Sequence, residues 1–138
     1  MNTTVLKKIQ LEMTSWKTSI RLPIPCDKVK GIKVRWLYYE TADVGLKFLH
    51  LSCSNFTPPG YVLSDNGTTD DYFYSTPLDP NKSVTCLSSD FNGAYDIVFD
   101  KAIQSINQFT LECSINGSPA INFISALNPV VMELGFYS

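Results

Sequence analysis

One stretch decides the fold class: Gly31-Ile32-Lys33-Val34-Arg35-Trp36-Leu37-Tyr38-Tyr39. In an extended chain, successive side chains point to opposite faces. One face of this stretch then takes Ile32, Val34, Trp36 and Tyr38, and the other takes Lys33, Arg35, Leu37 and Tyr39. Alternation with period two and a high content of branched and aromatic residues are typical of a β-strand.

Similar alternating runs predict further strands at residues 5–13, 15–24, 46–53, 95–99, 109–115 and 130–137. Turn-forming residues crowd between positions 54 and 94, and short strands fit between them at residues 61–63, 72–75 and 84–87. Pro23 and Pro25 predict the end of the second run, because proline cannot donate a hydrogen bond to a sheet. Helical spacing is found only at residues 101–108, which could form one or two turns. Within residues 130–137, the even positions are expected to face the core and the odd positions to face outward.

The composition agrees with a protein made of strands. The chain has 138 residues, which suits one folded domain spanning residues 1–138. Val, Ile, Thr, Phe, Tyr and Trp together number 47, against 12 for Ala, Glu and Gln, so an all-β fold is favoured over a helical one. This leaves an antiparallel β-sandwich or barrel of eight to ten short strands. Long connections after residue 53 favour an eight-stranded jelly roll or an immunoglobulin-like sandwich, and the Cys-Trp-Cys arrangement of true immunoglobulin domains is absent.

The sequence also bears on the compartment in which the protein is made. No apolar run approaches the roughly 18 residues of a membrane-spanning helix, and the first residues lack the apolar core of a secretory signal. We therefore expect a soluble protein that is made in the cytosol. Its four cysteines, Cys26, Cys53, Cys86 and Cys113, are too widely spaced for a zinc knuckle or a redox pair. In a reducing compartment we expect buried free thiols, with two disulfides as the alternative.

Few residues in the sequence suggest catalysis. His50 is the only histidine, and Cys53 lies three positions further along the same predicted strand, so the two side chains point to opposite faces. We expect His50 to be a half-buried structural residue, and we expect no enzyme activity, no cofactor and no bound metal. The loop that carries Asp65, Asp70 and Asp71 could offer oxygen ligands to calcium, but a solvated polar turn explains its composition more simply.

Charge is distributed unevenly along the chain. Residues 1–50 carry nine Lys and Arg against four Asp and Glu, a net charge of +5, whereas residues 51–138 carry two against nine, a net charge of −7. Regions of opposite sign can steer a protein onto partners, including copies of itself. Lys30, Lys33 and Arg35 are therefore candidate interface residues. Nucleic-acid binding through them is less favoured, because no aromatic-basic motif of the RNA-binding kind accompanies them.

A second candidate surface is the aromatic triplet Tyr72, Phe73 and Tyr74, which follows the acidic loop. In a strand the two tyrosines share one face, and Phe73 points to the other face, toward the core. Exposed tyrosines beside a polar loop suit a contact with another protein or stacking on a sugar ring.

The C-terminal third carries a series of strand and turn signals: residues 106–117, INQFTLECSING, residues 121–123, INF, and residues 129–137, PVVMELGFY. This series resembles the closing strands of small jelly-roll capsid proteins, namely the penton and minor capsid proteins of large double-stranded DNA viruses and their virophage-like relatives. In those proteins a strand, an Asn-Gly or Asp-Gly turn, a short apolar run and a terminal strand close the sandwich. The resemblance covers only this part of the chain, and its individual steps are ordinary hairpin chemistry.

The resemblance implies a structural role in a virion. The protein would be made in the host cytosol, assemble with other capsid proteins and with copies of itself as a trimer or pentamer, and have no catalytic activity. A carbohydrate- or receptor-binding sandwich, such as a fibre head or lectin-like module, is the alternative, with Tyr72, Tyr74 and the loop of residues 65–71 as its site.

Overall fold

The structure, a computed structural model, describes residues 5–40, 48–53, 55–56, 60–63, 69–78, 84–88, 96–115, 118–119 and 123–138. These residues form ten strands and no helix: β1 (Val5–Met13), β2 (Lys17–Glu40), β3 (Phe48–Cys53), β4 (Gly60–Leu63), β5 (Thr69–Tyr72), β6 (Tyr74–Pro77), β7 (Val84–Ser88), β8 (Ile97–Ile115), β9 (Ser118–Pro119) and β10 (Val130–Tyr137). Their pairings are antiparallel. The protein is therefore all-β, as its composition predicts.

Two long strands shape the molecule. β2 has 24 residues and β8 has 19, and they pair with each other from Lys17 opposite Glu112 to Ile32 opposite Ile97. A straight strand as long as β2 would span about 80 Å at roughly 3.3 Å per residue, several times the radius of gyration of about 14 Å expected for a domain of this size. Both strands must therefore bend.

The bend in β2 is visible as two interruptions of its ladder with β8. One lies between Arg21 and Cys26, and the other between Val29 and Gly31. Between the two interruptions, Lys28 has a φ of 57°, a left-handed backbone conformation that is uncommon for a residue other than glycine. The prediction that Pro23 and Pro25 end the strand is wrong. The two prolines lie where the pairing with β8 is interrupted, so their missing N–H groups remove no hydrogen bond from that ladder.

The bent sheet forms two layers. The first contains, in order, β1, β10, residues 31–40 of β2, and β7; the second contains residues 17–21 of β2, residues 108–115 of β8, β3 and β6. Counted along the chain, the eight segments are β1, residues 17–21 of β2, residues 31–40 of β2, β3, β6, β7, residues 108–115 of β8, and β10. With these numbered 1 to 8, the strand order is 1-8-3-6 in the first layer and 2-7-4-5 in the second. This is the strand order of a jelly roll, so the predicted antiparallel β-sandwich of jelly-roll type is confirmed.

The core lies between the two layers. Phe109 on β8 and Phe136 on β10 meet edge to face with their ring centroids 6.0 Å apart, so side chains of one layer contact those of the other directly. Beside them is a small apolar pocket lined by Ile32, Cys53, Phe56, Phe73, Ile97, Phe109, Leu111 and Leu134. The two layers thus enclose an apolar interior that belongs to both.

A bulge redirects the stretch that decides the fold class. The register of β2 against β10 shifts by one residue between Val34 and Trp36, which makes Arg35 the additional residue. A one-residue slip exchanges the two faces of a strand. Val34 is buried before the bulge and Leu37 is buried after it, whereas Tyr38, which simple alternation places on the face of Val34, is 41% exposed.

The helix expected at residues 101–108 is wrong. These residues belong to β8, in which Ile103 pairs with Val29 and Ile106 pairs with Cys26. A long partner strand favours the extended conformation for a branched, half-buried segment, and it overrides the local helical spacing. Residues 97–99 and 109–115, which the sequence assigns to two short strands, are consequently parts of one long strand.

The turn-rich middle of the chain agrees more closely with the sequence. The strands expected at residues 61–63 and 84–87 correspond to β4 and β7, and the strand expected at residues 72–75 is divided at Phe73 into β5 and β6. Beyond β8, Ile115 pairs with Ser118 on either side of the Asn-Gly turn signal, whose own two residues lie outside the described residues. These short pairings complete the ends of the sandwich.

Candidate functional site

A polar network lies at the centre of the outer side of the first layer. Glu133 on β10 accepts a hydrogen bond from Arg35 Nη1 on β2 at 2.8 Å and another from Gln10 Nε2 on β1 at 3.1 Å. The contact with Arg35 is also an ion pair. Alternation along β10 places Glu133 on the outward face, yet it is only 8% exposed, because the strands on both sides shield it. One carboxylate therefore links three neighbouring strands.

The three basic interface candidates lie in different environments on β2. Lys30 is exposed, Arg35 is half-buried and paired with Glu133, and Lys33 is only 8% exposed. The sequence places all three on one short stretch and does not distinguish them. In the structure, Lys30 presents its charge most directly to a partner.

The aromatic triplet is divided between the surface and the core. Tyr72 ends β5 and is half-buried, with its ring 5.1 Å from the ring of His50. Phe73 is buried and lines the apolar pocket. Tyr74 begins β6, is half-buried and pairs with Leu51. The two tyrosines do not belong to one strand, so they do not form the single exposed face that the sequence suggests.

Asp96 interacts both with β2 and with Tyr74 of the aromatic triplet. Its carboxylate accepts the backbone N–H of Val34 at 2.6 Å and interacts electrostatically with Lys33 and with Tyr74. Burial raises the pKa of Asp96, although the Val34 N–H and the charge of Lys33 oppose the rise. Burial also raises the pKa of Tyr74, and the charge of Asp96 adds to that effect. No sequence signal marks Asp96 as buried, because an aspartate near the start of a predicted strand is ordinarily solvated.

Replacement of Asp96 by asparagine is expected to change how stability depends on pH. A carboxyl group whose pKa is higher in the folded protein than in the unfolded chain binds its proton more tightly when folded. Its contribution to stability is therefore present below the unfolded pKa and is lost as the pH rises through the folded pKa. Asp96→Asn removes this loss and keeps an oxygen that can accept the Val34 N–H. The free energy of unfolding of the variant, relative to wild type, should increase as the pH rises above about 4, the ordinary pKa of an aspartate, and through the raised folded pKa.

Urea unfolding at a series of pH values measures this difference. Asp27→Asn, at an exposed position of β2, the strand whose Val34 N–H contacts Asp96, is the matched control. A difference between Asp96→Asn and wild type that stays constant across the pH range would contradict the burial of the Asp96 carboxylate.

A row of rings lies on the outer side of the second layer, and we call it the aromatic row: Phe48, His50 and Tyr72. Phe48 and His50 are stacked with centroids 6.0 Å apart and an interplanar angle of 18°, and Tyr72 is tilted by 32° to His50. His50 is 5% exposed, more buried than the sequence suggests, whereas Phe48 is 48% exposed. Cys53 lines the interior pocket instead, so His50 and Cys53 lie on opposite faces of β3.

All four cysteines are free thiols. Cys26, Cys53 and Cys113 are buried, as predicted, and burial raises the pKa of Cys113 to about 12. Cys86 on β7 is exposed, contrary to prediction. It is therefore the thiol that reagents in solution can reach.

The acidic loop is only partly within the described residues. Asp65 lies outside them, and Asp70 and Asp71 belong to β5, which pairs with β4 in a separate two-stranded sheet. Within the parts of the chain that the structure describes, no three His, Cys, Asp or Glu side chains gather where they could hold a metal ion. The expectation that residues 65–71 form a solvated polar turn rather than a calcium site stays a prediction from the sequence.

Comparison with known proteins does not assign this chain to a family. No known protein family matches the chain, and no curated protein matches it. Among the described residues there is no helix with the length and apolar character needed to cross a membrane. The function is therefore inferred from the fold and from the described side chains.

Proposed function

We propose that this protein is a structural virion protein, a small jelly-roll capsid component of the penton or minor capsid kind. It acts through contacts with other capsid proteins and with copies of itself, and it is made in the host cytosol before it enters the virion. The jelly-roll strand order of the two layers carries this proposal. The segments that resemble capsid proteins lie mainly on β8 and β10, the last two of the eight sandwich strands along the chain.

The described side chains support binding rather than catalysis. His50 is covered by Phe48 and Tyr72, and Glu133 accepts two hydrogen bonds that hold strands together. The carboxylate of Asp96 is held by a backbone N–H. Polar groups engaged in this way stabilise a rigid body, and a rigid body with exposed edges and loops is suited to repeated assembly contacts.

Mass spectrometry of particles purified from cells that naturally make the protein tests the proposal. The chain should remain with the particles through a high-salt wash and should be present in a fixed ratio to the most abundant particle protein. If the protein is found only in the soluble fraction and a tagged copy captures no particle protein, the structural role is ruled out.

A glycan- or receptor-binding role is the second candidate, and the aromatic row is the observation that favours it. Phe48 and the half-buried Tyr72 offer rings at the surface beside the hydroxyl-bearing strands β3 and β6, and flat amphipathic rings of this kind stack on sugars. Binding on a glycan microarray should be lost in Tyr72→Ala and kept in Tyr38→Ala, which changes an exposed tyrosine of the other layer. Equal binding by both variants would exclude the aromatic row as the site.

A further inference from the structure

β1 forms an edge of the main sheet. It pairs with β10 along one side, and no described strand pairs with its other side. It has nine residues and no proline. The strand at the opposite end of the sheet, β6, has four residues and ends at Pro77, and such short, proline-containing edges are protected against further pairing. β1 has neither protection, so its free backbone N–H and C=O groups can accept another strand.

The side chains of β1 form two rows. Lys8, Gln10 and Glu12 are exposed on the outer side, and Ile9 and Leu11 are half-buried against the margin of the core. An added strand would therefore meet a charged row on one side of the sheet and an incompletely covered apolar row on the other. Covering the apolar row would remove more of its surface from water.

Lysine on an edge strand usually discourages pairing, but the charge of β1 changes sign along its length. Lys7 and Lys8 lie near its start, and Glu12 lies near its end. A parallel copy of β1 in register would place lysine beside lysine. An antiparallel copy places lysine opposite glutamate, which favours pairing. The charge pattern of β1 thus selects an antiparallel second copy of itself.

We propose that β1 pairs with β1 of a second copy of this chain, antiparallel about a two-fold axis at Gln10, with Lys8 of each copy opposite Glu12 of the other. In this register Ile9 lies opposite Leu11 of the second copy, on the core side of the sheet. The first layers of the two jelly rolls become one continuous sheet, and each contact occurs twice, as a two-fold interface requires. This contact rests on the proposed assembly role and adds its strand and register; being two-fold, it predicts a dimer and not the trimer or pentamer expected from the sequence.

Other registers satisfy the side chains less well. A shift by one residue would place Ile9 or Leu11 opposite an outward-facing position, because a one-residue slip exchanges the faces. A shift by two residues in one direction places Lys8 opposite Gln10, and in the other direction it places Glu12 opposite Gln10. Both shifts lose the two pairs between Lys8 and Glu12. The register centred on Gln10 keeps the charge pairs and the apolar pairs together.

Charge reversal tests the contact on the full-length purified protein, with the dimer dissociation constant measured by analytical ultracentrifugation. Lys8→Glu and Glu12→Lys each place two like-charged pairs in the interface, and each should raise the dissociation constant about tenfold or more. The double variant restores both pairs and should return the constant close to the wild-type value. A mixture of the two single variants should form heterodimers, because each supplies the charge that the other lacks. Arg21→Glu, at an exposed position of the second layer and away from β1, should leave the dimer unchanged.

A disulfide tests the register. Directly opposed residues of antiparallel strands have Cα atoms about 4.5–5.5 Å apart, within the range that a disulfide spans. Gln10→Cys should therefore form a covalent dimer under mild oxidation, in a Cys86→Ser background that removes the exposed native thiol. Lys7→Cys in the same background should not, because the register separates the two copies of position 7 by about 20 Å along the strands.

A monomer at every concentration, a dimer whose dissociation constant is insensitive to Lys8→Glu and Glu12→Lys, or equal cross-linking by Gln10→Cys and Lys7→Cys would each overturn the β1 contact. These outcomes are separable from the failure of the proposed function. If the protein is bound to particles but forms no β1 dimer, the proposed virion role stands and the β1 contact is ruled out. If a β1 dimer forms but the protein is absent from particles, the β1 contact stands and the virion role is ruled out.

Discussion

Phe136→Ala is expected to lower the free energy of unfolding by about 3–5 kcal/mol. Phe136 is fully buried on β10, and its ring meets Phe109 of the opposite layer. Alanine removes the ring from the space between the layers. That space cannot collapse freely, because β10 is hydrogen-bonded to β1 on one side and to β2 on the other. Domains of this size have a total stability of only about 5–15 kcal/mol, so the loss is a large part of it.

Urea unfolding followed by tryptophan fluorescence measures this effect. Leu127→Ala is the matched control, since Leu127 is 96% exposed and its replacement should change the free energy by no more than about 0.5 kcal/mol. A double-mutant cycle with Phe109→Ala should show a coupling of about 0.5–1.5 kcal/mol, as for other aromatic pairs. Equal stability of Phe136→Ala and Leu127→Ala would contradict the packing of the two layers against each other.

The fold class could be predicted because hydrophobic alternation reports the environment of a strand directly. The bounds of β1 and β10 agree with the runs at residues 5–13 and 130–137, since both strands pair almost without interruption. The irregularities could not be predicted. The bulge at Arg35 and the break in the ladder at Pro23 depend on which strand lies alongside, and alternation contains no information about neighbours.

The sequence identifies surface residues of the candidate site, but it does not predict which residues they contact. A basic stretch and an aromatic triplet are visible in the sequence, and alternation predicts that Phe73 faces the core, but the burial of Lys33 depends on the layer that covers it. Glu133 lies 98 residues from Arg35 and 123 from Gln10 along the chain. Alternation places Glu133 on the outward face, and only the order of the strands shows that this face holds a shielded network.

Glu133→Ala is the variant outside the apolar core with the largest expected effect. The carboxylate accepts hydrogen bonds from the Arg35 guanidinium and the Gln10 amide at once, so alanine removes the acceptor that both donors share. Breaking a fully buried ion pair costs about 3–5 kcal/mol. Because the side chain of Arg35 is 31% accessible and water can reach it, we expect a smaller loss of about 2–3 kcal/mol. Glu133→Gln keeps an acceptor oxygen without the charge and should lose about 1–1.5 kcal/mol.

The double variant Arg35→Met with Glu133→Leu separates the contribution of the pair from the penalty of breaking it. Each single change leaves one charged partner in a shielded place, whereas the double change leaves none. We therefore expect the double variant to be more stable than the sum of the two single losses predicts, by about 1 kcal/mol or more. Urea midpoints with unchanged slopes would report this directly. Additive losses, or a Glu133→Ala variant as stable as wild type, would show that β1, β10 and β2 are held together by their ladders and apolar contacts alone, without help from the carboxylate.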